Sequence, residues 1–75
     1  MHTRTAAVLV DRDILGGTPC FAGTRVPVKS LLDYLKAGER VDDFLAAFPT
    51  VTRTQVDAVL DAAGEAVDRD ARSLG

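Results

Sequence analysis

Residues 16–28 read Gly-Gly-Thr-Pro-Cys-Phe-Ala-Gly-Thr-Arg-Val-Pro-Val, and no other stretch restricts the backbone of this chain so tightly. Three glycines and two prolines fall within it, while the remaining glycines and prolines are scattered singly. Glycine reaches positive φ without a steric cost; proline fixes φ and cannot donate to a strand ladder. Alternating them holds an irregular backbone in place. Cys20-Phe21 and Arg25-Val26 are short β-compatible pieces around Ala22-Gly23. The pattern predicts a tight hairpin or a pair of extended arms, with Gly23 in the left-handed turn position and Pro27 setting the start of the first helix.

At 75 residues the chain is one small domain, and a domain of this size buries only about 60 % of its unfolded surface. Cys20 is the only cysteine and His2 the only histidine, which excludes a Cys/His zinc site and a disulfide framework. The expected source of extra stability is association, most simply a homodimer. A lone thiol, no signal peptide and no apolar run near the length of a membrane span point to a reducing, cytoplasmic setting. Eleven of the apolar residues are alanines, so the core falls to the valines, leucines, Ile14, three phenylalanines and Tyr34. That supplies one thin layer of helices rather than a deep enzyme cleft. A net charge of −2 is not the basic balance of an autonomous nucleic-acid domain.

In chain order, residues 1–5 are polar and expected to fray. Residues 6–10 form an apolar run that fits a short strand buried on both faces. Asp11 is placed to cap a single helical turn reaching Leu15. Val28, Leu31, Leu32 and Leu35 then make one helical stripe, and Gly38 stands where a C-terminal cap belongs. Val41, Phe44, Leu45 and Phe48 make a second, ended by Pro49. Thr52-x-x-Gln55 is a capping box that opens a third helix striped by Val56, Val59, Leu60 and Ala63. Its phase continues through Val67, Ala71 and Leu74, so this helix is expected to pass Gly64 and end near residues 69–72. The predicted fold is mainly α: an N-terminal β arm over residues 1–27, a trihelical domain over 28–64 and a C-terminal helix extension over 65–75. The last two helices have helix-turn-helix proportions.

The run Gly16, Gly17, Pro19, Gly23, Thr24, Arg25, Val26, Pro27 and Val28 resembles the signature of the domain of unknown function 433 family, small bacterial and archaeal proteins often classed with VapB-like antitoxins. The resemblance continues through Leu35 to Gly38 and Phe48-Pro49-x-Val51-Thr52, covering roughly Val8 to Ala63. Arg40 departs from the pattern, standing where the family more often has a capping Ser or Thr. The resemblance implies a cognate PIN-like ribonuclease toxin as partner. The neutralisation it implies is occlusion: the β arm or the C-terminal helix lies across the nuclease, and Arg25, Arg69 or Arg72 competes with Mg²⁺ for its acidic site.

The residues themselves leave alternatives. Arg25 has the fork of donors that suits a partner's carboxylates, or else bridges Asp11 or Asp13 and the carbonyls of the glycine turns. Thr24, beside it, suits a turn stabiliser. Gly16-Gly17 is not a phosphate loop, because no Gly-Lys-Ser/Thr follows and Pro19 removes an amide. Cys20 has no His or Lys beside it and reads as a small core residue. Asp42-Asp43 and Asp57/Asp61 read as solvated helix faces. No catalytic machinery is visible and no cofactor is called for. At the start of the third helix, Arg53, Thr54 and Gln55 are placed to meet base edges or phosphates of operator DNA. The functional expectation is an antitoxin-like binding protein that also regulates its own operon, with a stand-alone helix-turn-helix regulator as the alternative.

Overall fold

The computed structural model describes residues 7–74, with side chains through residue 71. The expected fraying of residues 1–5 lies outside them. Strand β1 (Val8–Leu9) pairs antiparallel with β2 (Cys20–Phe21), Val8 opposite Phe21 and Leu9 opposite Cys20. The connection contains a left-handed turn: Leu15, Gly16 and Gly17 have φ of 51°, 67° and 94° in succession. Asp11 caps a single turn as expected: its carboxylate accepts the backbone N–H of Asp13 at 2.8 Å and its carbonyl the N–H of Ile14 at 2.9 Å. The turn stops at Ile14 rather than reaching Leu15, because the chain there winds left-handed into the two glycines.

After β2 the chain folds back at once. The Phe21 N–H donates to the Val26 carbonyl and the Thr24 N–H to the Phe21 carbonyl, with Gly23 at φ 76°. This is the tight hairpin of the two open forms. Positive φ at the third turn position is what glycine supplies. The Thr24 hydroxyl finishes it, donating to the Phe21 carbonyl at 2.8 Å and accepting the Val26 N–H at 3.0 Å.

Three helices follow: α1 (Val28–Lys36), α2 (Val41–Ala47) and α3 (Arg53–Leu74). The architecture is therefore the expected one, a short N-terminal β-hairpin followed by a mainly-α, three-helix domain. Helix α1 ends in a Schellman motif, the Gly38 N–H bonding the Leu35 carbonyl and the Glu39 N–H that of Tyr34. Arg40 stands at the N-cap of α2, and its side chain has no acceptor to offer a helix N-terminus. Asp43 compensates by accepting the Arg40 backbone N–H at 2.9 Å. Helix α3 starts with both halves of its box: the Thr52 N–H donates to Gln55 Oε1, and the Gln55 N–H to the Thr52 hydroxyl.

Phe21, Leu31, Phe44 and Val56 are fully buried, with Val51 and Val59 beside them. All four aromatic residues meet there. Phe44 lies 5.9 Å from Phe21, 5.5 Å from Tyr34 and 4.9 Å from Phe48, ring centre to ring centre. Phe21 carries the hairpin into the core, so the arm is part of the domain's packing. Two expectations are corrected. The run at residues 6–10 is not buried on both faces, because only one layer of helices exists to cover it: Leu9 and Val10 are 53% and 65% exposed. Leu32 is also exposed, because the core contacts of α1 turn toward Leu31 and Leu35.

Candidate nucleic-acid interface at the start of the third helix

Helix α2, a five-residue turn over 48–52 and α3 make a helix-turn-helix-like pair. The hairpin braces this pair. Gln55 Nε2 donates to the Ala22 carbonyl at 3.0 Å, across 33 residues of chain. Gln55 is thus engaged at both ends of its amide, in the cap and in the hairpin, and holds the start of α3 against the arm. Thr24 is likewise spent on its turn. Of the residues expected to read DNA, Arg53 and Thr54 stand exposed at the first turn of α3.

Arg53 reaches back to α2, its Nη1 donating to Asp42 Oδ1 at 2.8 Å, and Arg40 approaches the same carboxylate at 3.7 Å. Two arginines therefore share one aspartate at the α2–α3 corner, while Asp43 is occupied by its cap. The carboxylate pair Asp42-Asp43 is a structural device, legible as the third residue of a helix for Asp43 but not for its neighbour. Arg25 is exposed on the hairpin turn and, among the described residues, meets no carboxylate or carbonyl; the bridge to Asp11 or Asp13 is not made. With Leu9, Ile14, Cys20, Val26 and Thr50 from the α2–α3 turn it lines an open groove of about 600 Å³. Hairpin turn and helix turn thus lie together.

Acids stand near the start of α3 as well: Asp42 and Asp43 lie on α2 beside it, and Asp57 is four residues past Arg53, with Asp61, Glu65, Asp68 and Asp70 following down the exposed length of α3. Arg69 is exposed sixteen residues past Arg53, about 24 Å along the helix. The Arg72 side chain lies outside the described residues. Cys20 is 3% exposed with its thiol on the Thr18 carbonyl, as a small core residue. No three Asp, Glu, Cys or His side chains among the described residues form a group that would hold a metal ion. No helix among them is long and apolar enough to cross a membrane. Val51 is buried at 4%, which periodicity could not show, because a lone valine between Pro49 and Thr52 carries none.

The profile of a family described as "Protein of unknown function (DUF433)" matches residues 8–62. A curated relative described as uncharacterized protein y4eO, of Sinorhizobium fredii, is 43% identical over 44 residues. That alignment takes in 59% of this chain and 20% of the relative, so the chain spans about a fifth of the protein it matches. No solved structure matches.

Proposed function

We propose that this chain, which belongs to the DUF433 family, is a regulatory binding protein that contacts DNA through its helix-turn-helix rather than a catalyst. One observation carries the reading: the first turn of α3 presents Arg53 and Thr54 to solvent, with Arg40 at the same corner through the shared Asp42, and all the acids of α3 but Asp57 two turns or more further along the helix. The positive end of a 22-residue helix adds to the arginines. Contact with phosphate would draw Arg53 off Asp42, and Thr54 would follow the first turn into the major groove. Gln55 positions this end rather than reading bases.

The test is binding of the purified chain to DNA upstream of its own gene, by fluorescence anisotropy across a salt series. Binding should weaken steeply with salt, and Arg53→Ala should cost about ten-fold with a shallower slope. No binding at low salt would overturn the reading.

A second reading is favoured by Arg25, whose guanidinium has no acceptor among the described residues and sits beside an apolar groove. It is neutralisation of a PIN-like ribonuclease, with Arg25 from the arm, or Arg69 and Arg72 from the helix extension, entering the acidic site in place of Mg²⁺. A co-purified complex with full nuclease activity would sink it.

A further inference from the structure

We propose that a second copy of this chain pairs along the open edge of β1, antiparallel and centred on Leu9, so that two hairpins join into one four-stranded sheet. The two-stranded sheet has β2 on one side of β1, and among the described residues no strand lies on the other. Ala7, Val8, Leu9 and Val10 include no charge and no proline, two of the devices by which monomers keep strand edges apart; the shortness of β1 is the one device present.

The edge is self-complementary. Val8-Leu9-Val10 reads the same in both directions. A two-fold axis through Leu9 sets each Val8 opposite the other copy's Val10 and the two Leu9 side chains against each other on one face. A foreign strand would meet no charge that selects it, whereas a second copy arrives in register by its own sequence.

The side chains around the edge point the same way. Leu9, Val10 and Leu15 are 53%, 65% and 52% exposed, three of the five large apolar side chains most open to water among the described residues. Leu15 carries a second cost. It is the only non-glycine described residue at positive φ, a conformation that strains a leucine. A strained leucine held out into water returns nothing to the monomer; covered by a partner, it does. Ile14, its neighbour in sequence, lines the groove with Leu9. A standard interface takes about 800 Å² from each partner, roughly 15 % of this chain's 5403 Å².

The pairing does not depend on DNA being the ligand; it doubles the arginines offered if DNA is. Sedimentation equilibrium of the full chain, without DNA, tests it. The wild type should run at twice 8.0 kDa at about 100 μM. Leu9→Lys should return it to the single mass, raising the dissociation constant by at least about 100-fold, since like charges would meet on the axis. Val10→Lys, at a residue outside both strands, should do the same with an unchanged helical circular dichroism signal. An equimolar mixture of Leu9→Lys and Leu9→Glu should regain the double mass, which requires Leu9 to face Leu9. A monomeric wild type overturns the proposal, as does a dimer that survives both lysines. So does a dimer dissolved only by Val67→Glu, which would place the contact on the exposed end of α3 instead.

Discussion

Gln55 does the work of two residues. Its carbonyl oxygen closes the box with Thr52 while its amide nitrogen holds the hairpin turn at Ala22. Gln55→Ala should therefore cost more than an ordinary cap, about 2 kcal/mol, read as a lower urea midpoint. Arg53 is the contrast. Its ion pair with Asp42 joins side chains 59% and 65% exposed, and such pairs contribute under about 1 kcal/mol. Arg53→Ala should leave the urea midpoint nearly in place while DNA affinity falls, so folding and binding separate at this residue. At Gly23 a methyl group would meet nothing within 4 Å, yet φ is 76°. Gly23→Ala should lower stability by about 1 kcal/mol from backbone strain alone.

At the scale of the element, α3 is the least self-sufficient part of the chain. Its buried residues stop at Val59, with Leu60 packed against the core, and the next fourteen residues extend it by about 21 Å. Val67, on the continuing stripe, is 66% exposed. Isolated helical stretches of this length are marginal in water. Asp57, Asp61 and Glu65, spaced i to i+4, repel one another, and Gly64 weakens the centre. A methyl group at Gly64 would meet nothing within 4 Å, and φ there is not positive. Gly64→Ala should thus stabilise the helix by about 0.5–1 kcal/mol, measured as greater ellipticity at 222 nm and a higher thermal midpoint. An unchanged midpoint with greater ellipticity would mean that the helix end melts separately from the core.

For the molecule as a whole, one aromatic cluster ties the arm to the helices. Phe44 from α2 touches Phe21 of the hairpin, Tyr34 of α1 and Phe48 beyond its own helix. Phe44→Ala should cost about 3–5 kcal/mol, against a total of about 4–11 kcal/mol for a domain of this length. Loss of a cooperative thermal transition is the expected result. Much of this molecule follows from local rules. The glycine and proline spacing determined the hairpin turn, the stripes determined three helices, and Thr52-x-x-Gln55 and Gly38 marked their ends, because caps and turns satisfy backbone groups within four residues. Family membership was legible in the same stretch, since those residues shape the backbone. What the sequence could not show depends on which surfaces meet across the fold. Nothing local told that Gln55 would turn inward to Ala22, that Asp42 would be shared by Arg40 and Arg53, or that Arg25 would reach no acceptor among the described residues. Nor did the apolar run at Val8 to Val10 reveal that it would stand half open to water. Burial belongs to the packed layer, and a single layer of short helices covers only one side of the hairpin.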